Sequence, residues 1–254
     1  MRSDLVALLA LALWSLGCSD RSGSSADPVE ERPPVPKITT AALLDVYVND
    51  VPGVKVTNPS LRHDGIGVLS PGPCTATFVR PNVVLTAAHC VRFGQRGAAS
   101  YRIDAAGRRH DGTCVHSFTT GHYDDERAGW VPDDENNDIA LLRVVPETQA
   151  ARFAIEESRP THQEEVEFIG AGCRNHDQQM GQRHVATGPW TRLAEGDLVC
   201  DGDSGGPLLR RRTSVVGIAS GYVRHAPSHY AWMRADVAAK ADELQEGCAE
   251  DHED

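Results

Sequence analysis

Three short stretches of this chain gather residue types that do covalent chemistry. They are Val84-Leu85-Thr86-Ala87-Ala88-His89-Cys90, Asn137-Asp138-Ile139-Ala140-Leu141-Leu142 and Gly202-Asp203-Ser204-Gly205-Gly206-Pro207. A serine hydroxyl is a poor nucleophile at neutral pH unless a base lies within hydrogen-bond reach. Histidine suits that task, with an unperturbed pKa of ~6.5. The histidine needs a carboxylate partner that fixes its tautomer and stabilises the imidazolium. Attack on a carbonyl creates an oxyanion that needs preorganised donors, and glycines beside the serine let backbone N–H groups come close to it. Singly, each residue is weak evidence. The chain has 11 His, and His110, His116 and His162 read as ordinary surface or core histidines. Asp138 alone reads as a loop residue before a buried strand, and Gly205-Gly206-Pro207 alone as a turn.

Chain order separates two readings of the set. Residues 202–206 also satisfy Gly-x-Ser-x-Gly, the nucleophile elbow of α/β-hydrolases. That fold runs Ser, Asp/Glu, His, so the histidine would have to be His225, His229 or His252, with strands and helices alternating. The order here is His89, Asp138, Ser204, which is that of chymotrypsin-type proteases. On these motifs, and over roughly residues 46–247, the chain closely resembles the trypsin/chymotrypsin (S1) family of serine endopeptidases. The resemblance implies an all-β fold of two antiparallel β-barrels packed face to face, with a C-terminal α-helix. His89 and Asp138 would come from the first barrel and Ser204 from the second, with a polypeptide substrate in the cleft between them. It also implies that the Gly202 and Ser204 amides donate to the oxyanion and that Ser220-Gly221 pairs with the substrate backbone. This chemistry requires no metal or organic cofactor.

There are seven cysteines and no CxxC pair, so zinc-ribbon and thioredoxin readings have little support. Setting Cys18 aside leaves an even number, which suits an oxidising compartment but leaves 15 pairings open. The resemblance implies Cys74–Cys90, holding the histidine loop. The family's usual partner for Cys200 would follow Ser220-Gly221, where no cysteine stands. Cys173 follows Gly170-Ala171-Gly172, which resembles a family turn near the oxyanion loop, and Cys173–Cys200 would brace that loop. Cys114–Cys248 would then tie the C-terminal helix to the first barrel.

The specificity region departs from the family. Trypsin-like members carry an Asp six residues before the serine; here that position is Leu198, followed by Val199. A buried leucine leaves a cationic substrate side chain uncompensated, so the expected preference is not Lys or Arg. Asp201 is expected at the pocket rim. Tyr222 and Tyr230 stand where small residues usually keep the pocket open, which implies a shallow pocket for small apolar side chains. Many members are cut to release an Ile-Val-Gly-Gly terminus whose amine pairs with the Asp before the serine, here Asp203. This chain has no such sequence. The candidates for a cut are Lys37-Ile38-Thr39-Thr40 and Lys55-Val56-Thr57-Asn58. The alternative is an internal cationic or hydrogen-bonding partner for Asp203.

Positioning these groups falls to short strands. Runs rich in β-branched residues at 46–48, 65–69, 75–79, 83–86, 139–145, 166–169 and 215–219 are separated mostly by Gly, Pro, Asn or Asp, the pattern of an all-β chain of hairpins. Residues 236–246, DVAAKADELQE, predict a helix capped by Asp236, with Val237 and Leu244 inward and its end before Gly247. The stretch 124–134 is acidic but lacks the spacing of a calcium loop, and reads as a solvated loop. The 23 Gly and 15 Pro also suit a loop-rich β fold.

The whole chain has 254 residues and a net charge of −11, which disfavours a nucleic-acid partner. Arg2 followed by a largely apolar run at 5–16 reads as a signal-peptide core, too short to span a bilayer at ~20 residues. Ser15-Leu16-Gly17-Cys18 resembles a bacterial lipoprotein box, with Cys18 as the lipidated residue. The expected organisation is a signal peptide at 1–18, a flexible tether or pro-segment at 19–45 and a protease domain at 46–254. Within that domain the barrels cover about 46–150 and 151–235. Either way the chain is read as exported, membrane-anchored or secreted. The competing reading is a binding protein on a protease scaffold with little turnover; such proteins usually lose a triad member, and all three residues are present here.

Overall fold

The computed structural model describes residues 52–57, 59–72, 74–92, 98–124, 129–172, 183–195, 199, 202–221 and 229–248. The signal segment, Cys18, the tether, the run at 46–48, Cys173, Leu198, Cys200, Asp201, Tyr222 and part of the acidic stretch lie outside these residues.

In chain order the strands are β1 (Lys55–Thr57), β2 (Ile66–Ser70), β3 (Cys74–Arg80), β4 (Val83–Thr86), β5 (Arg102–Ala105), β6 (Arg108–Ser117), β7 (Gly121–Asp124), β8 (Gly129–Pro132), β9 (Ala140–Val145), β10 (Ala154–Ile155), β11 (Glu165–Gly170), β12 (His184–Pro189), β13 (Pro207–Arg210), β14 (Ser214–Gly221) and β15 (His229–Trp232). Among the described residues three α-helices join them: α1 (Ala88–Arg92), α2 (Trp190–Glu195) and α3 (Ala235–Glu246). Strands β2, β3, β4, β9, β6 and β5 close into a barrel in that order. Its central members, CTATFVR, VVLT and ALLRVV, are the aliphatic and β-branched runs that favour a pleated, buried surface. Ile66, Phe78, Leu85, Ile103 and Leu141 are buried in its core.

The second half, joined by β1 from the N-terminal side of the barrel, forms a seven-stranded sheet, β1-β12-β11-β13-β14-β10, with β15 on β14. Its pairings are antiparallel except the two-residue β10–β14 contact. Val166, Phe168, Leu193, Val199, Leu208, Val216 and Tyr230 share its apolar cluster. The fold is therefore mostly strands, with a closed six-stranded barrel and a C-terminal helix, in agreement with the two-barrel expectation.

Helix α3 follows the second sheet in the chain but packs on the first barrel. Val237, Ala241 and Leu244, at i, i+4 and i+7, join the cluster that contains Phe78 and Leu141. Arg80 pairs with Asp242 at 2.6 Å, and Asn82 donates to the Gln245 carbonyl at 3.1 Å. The helix begins one residue before the expected start, and Asp236 is not its cap. Arg234 occupies that position with no side-chain cap. Asp236 sits in the first turn, where its carboxylate accepts both guanidinium bonds of Arg234, at 2.9 and 2.8 Å.

A buried acid fastens the segment before the barrel to the second sheet. Glu167 of β11 is 3% exposed and meets Arg62 and Arg212, each at 2.9 Å, and His63 at 3.4 Å. Burial pushes its carboxyl up, but the His63 hydrogen bond and the Arg62 and Arg212 charges outweigh this and hold it below the usual glutamate range. A depressed acid contributes stability that is present above its unfolded pKa and lost as pH falls through the folded one. Glu167→Gln should therefore lower unfolding free energy at pH 7 by about 1–3 kcal/mol, because both arginines can turn to water. In denaturant titrations the gap to wild type should begin to close below about pH 4.3.

Candidate active site

His89 lies in α1, entered directly from β4 through the fully buried Ala87 and Ala88. Cys90 is bonded to Cys74 at the start of β3, with Cα atoms 6.2 Å apart, so the short helix is fixed to the barrel wall at the residue after the histidine. Asp138 follows a single 3-10 turn, Glu135–Asn137, and precedes β9. Its side chain is 0% exposed, while that of His89 is 19% exposed.

The carboxylate receives three described donors. The His89 main-chain N–H donates to Oδ1 at 2.9 Å. His89 Nδ1 lies 2.6 Å from Oδ2, and the Ser220 hydroxyl donates to the same oxygen at 2.8 Å. An ionised carboxylate only accepts, so the hydrogen of a neutral imidazole must sit on Nδ1. That leaves the lone pair on Nε2, the ring nitrogen not engaged by Asp138, where a base is useful.

Ser204 sits on a loop clamped between the two sheets. From the barrel side, the Thr75 N–H donates to the Ser204 carbonyl at 2.8 Å, and the Thr75 hydroxyl donates to the Gly202 carbonyl at 2.9 Å. From the other side, the Gly205 N–H donates to the Ala219 carbonyl at 2.7 Å. Gly205 has φ +81°, and a Cβ there would lie 2.3 Å from both the Thr75 carbonyl oxygen and the Thr86 hydroxyl. No side chain fits, and an L-residue would be strained as well. The Cys90 sulfur lies 3.7 Å from His89 Nε2 and 3.8 Å from the Ser204 carbonyl, so histidine and serine loop share this neighbour. Among the described residues, neither the Gly202 nor the Ser204 amide donates to a main-chain acceptor.

The remaining expected residues fall in several places. Ser220 and Gly221 end β14, and Ser220 faces Asp138. Val199 is buried in the second sheet's apolar cluster. Tyr230 enters the same cluster, with its ring 5.2 Å from Trp190 and 6.0 Å from Phe168. Cys114 is bonded to Cys248 with Cα atoms 6.0 Å apart; Cys173–Cys200 falls outside the described residues. Of the two candidate cut points, Lys55-Val56 lies within β1, paired with β12, and the other is not described. Cys74, His89 and Cys90 also sit close enough to hold a metal ion, but both sulfurs are spent in the disulfide. Two groups were not anticipated from sequence in these roles: the hydroxyl of Ser220 as a donor to Asp138, and His184, buried beside Asp203 at 3.8 Å. Neither carries a local signal, since the first contact spans 82 positions and His184 is a lone histidine opening a strand.

Comparison with known proteins agrees with this architecture. A family model described as Trypsin matches residues 62–242. Among solved structures, the crystal structure of the scabies mite inactivated protease paralogue S-I1 superposes with a TM-score of 0.52 at 18% identity, over 75% of this chain and 98% of that one. The likeness at that identity is one of fold. No curated protein matches.

The carboxylate sets the tautomer, and this can be read without any substrate. In wild type, ¹⁵N NMR of the imidazole at alkaline pH should find the hydrogen on Nδ1. Asp138→Asn can turn an amide N–H₂ toward the ring and should shift the hydrogen to Nε2. An unchanged tautomer in the variant would contradict the role given to Asp138.

Proposed function

The chain belongs to the trypsin family, and on that premise we propose that it is an exported serine endopeptidase acting through His89, Asp138 and Ser204. The observation that carries this reading is the fully buried Asp138 carboxylate, which holds His89 by both its main chain and Nδ1. In the first step Ser204 Oγ bonds to the scissile carbonyl carbon as its proton passes to Nε2. The carbonyl π pair moves onto oxygen, where the Gly202 and Ser204 amides receive it. The proton on Nε2 then goes to the leaving amine as the C–N bond breaks, leaving an acyl-serine. Water repeats the sequence with the acyl group and releases the acid. Asp138 remains ionised and stabilises the imidazolium at each stage. The end of β14, Ser220-Gly221, is the edge on which the substrate backbone would pair.

Specificity is assigned to Leu198, Val199, Tyr222 and Tyr230. The aromatic volume of Tyr230 inside the second sheet and the lack of a carboxylate at 198 both favour small apolar side chains over Lys or Arg. Export is supported by the apolar segment at 5–16 and by two disulfides, which persist in oxidising surroundings. Lipid anchorage through Cys18 belongs to the same proposal. A protein that binds peptides without cleaving them is the competing reading. The inactivation described for the scabies mite paralogue belongs to that protein, and this chain retains all three side chains.

A fluorophosphonate should label the purified protein at one site, and Ser204→Ala should abolish the label. Absence of labelling in the wild type would favour the binding-protein reading. Profiling with a peptide library should give cleavage after small apolar residues at rates at least about tenfold above Arg or Lys, in line with an uncompensated buried cation. Dominance of Arg would overturn the assignment of the pocket.

A further inference from the structure

The chain carries a net charge of −11, and its arginines are commonly held by acids: Arg62, Arg80, Arg210 and Arg234 each meet a carboxylate. One corner of the first barrel reverses this. A cavity of about 620 Å³ opens between β2, the β5–β6 hairpin and the residue before β12, lined by Val68, residues 104–109 and Arg183. A two-residue turn, with Ala106 at φ +52° and Gly107 at φ +70°, closes the hairpin. Strand β6 therefore starts on two adjacent arginines. Arg109 lies opposite Asp104 in the register, with its Nε 3.4 Å from Oδ1 and both side chains more than half exposed. Such a pair contributes little. Arg108 makes no side-chain hydrogen bond or ion pair among the described residues.

Arg183 is the fixed member of the set. Its Nη1 donates to the His63 carbonyl at 2.7 Å and to the Ile66 carbonyl at 2.6 Å, which engages both hydrogens of that nitrogen and pins one edge of the guanidinium. The Nε and Nη2 hydrogens meet no acceptor among the described residues. Asp64 acts on this cation only through space, since its carboxylate accepts the Ala151 N–H at 2.8 Å. Burial lowers the guanidinium from its ordinary value by more than Asp64 raises it. A partly buried cation with unused donors is unfavourable unless an anion completes it. Guanidinium forks match the oxygens of phosphate. Two guanidiniums without an acid of their own are balanced by two negative charges, which a phosphate monoester carries near neutral pH and a sulfate ester does not. The volume also falls among those of small-molecule sites, ~300–1,000 Å³, and Val68 and Ala106 give it an apolar wall. We propose that this cavity binds a small organic phosphate monoester, its oxyanion held by Arg108 and Arg183 and its organic group lying against Val68 and Ala106. None of His89, Asp138 or Ser204 lines it, so the proposal stands or falls apart from the endopeptidase reading.

The probe is phenyl phosphate, titrated calorimetrically into the purified full chain in a phosphate-free buffer near neutral pH. Inorganic phosphate, phenyl sulfate and sodium chloride at equal ionic strength are the comparisons. Saturable binding of phenyl phosphate is expected, weaker binding of inorganic phosphate and phenyl sulfate, and none of chloride. Arg108→Gln removes a cation with no partner in the fold; it should leave the melting transition in place and weaken binding about tenfold, the loss of one charge-assisted bond. Asp104→Asn removes the acid facing the ligand and should tighten binding about threefold. Opposite signs in the two variants distinguish a site from a general attraction for anions. A response to phenyl phosphate no larger than that to sodium chloride, or an affinity unchanged in Arg108→Gln, overturns the proposal. Phenyl sulfate or inorganic phosphate binding as tightly as phenyl phosphate overturns the assignment to a phosphate monoester.

Discussion

Asp138 carries its charge where no water reaches it, and the donors that make this tolerable come from both halves of the fold. Two belong to His89, on the helix that leaves β4, and the third to Ser220, near the end of β14. Losing any one of them leaves a buried charge short of a partner, which costs more than the bond itself contributes. The same three bonds fix the imidazole in one orientation and one tautomer. A demand of electrostatics, that a buried carboxylate be surrounded by N–H and O–H groups, thus brings a first-barrel histidine and a second-sheet strand to a common point.

The serine loop obeys a different constraint, that of space. Main-chain bonds to β3 on one side and β14 on the other leave the loop no width, and the Thr75 side chain of β3 links the loop to the turn after β11, donating to the Gly202 carbonyl and accepting the Ala171 N–H at 3.0 Å. Gly205 and Gly170 are absences that the structure uses: one lets the loop lie against Thr75 and Thr86, the other makes room for a carboxylate and an imidazole. Threonine is thus a structural hub here, although its hydroxyl offers the reaction nothing directly.

Much of this was legible in sequence because the chemistry sits in contiguous words. His89, Asp138 and Ser204 each occur inside a short motif, and chain order chose between two folds. Strands β3, β4, β9, β11 and β14 were legible because buried strands are rich in β-branched and aliphatic residues. Strands β5 and β6 were not: their arginines and aspartates are exposed and alternate with only a few buried positions, one of them His110, and barrel closure makes them strands where local composition does not. Strand β13 opens on Pro207, a residue that argues for a turn until the first-position exception applies. The helix was found and its cap misassigned, because the helix starts one residue earlier and Asp236, in its first turn, is held chiefly by Arg234. Contacts between residues far apart in the chain, such as Ser220 with Asp138 and His184 with Asp203, have no trace in any local window.

The bond between Cys114 and Cys248 spans 134 positions and encloses β14, β15, most of the second sheet and the serine itself in one covalent ring. Helix α3, belonging by sequence to the second half and by packing to the first, lies just inside the point of closure. A peptide bond broken within that ring by another protease, or by a second copy of this one, would open the ring without releasing either end. The pieces would remain a single molecule, held in proximity, with the loss of entropy on re-docking already reduced by the tether. For a protein proposed to be an exported endopeptidase, tolerance of a nick is a form of durability distinct from resistance to unfolding.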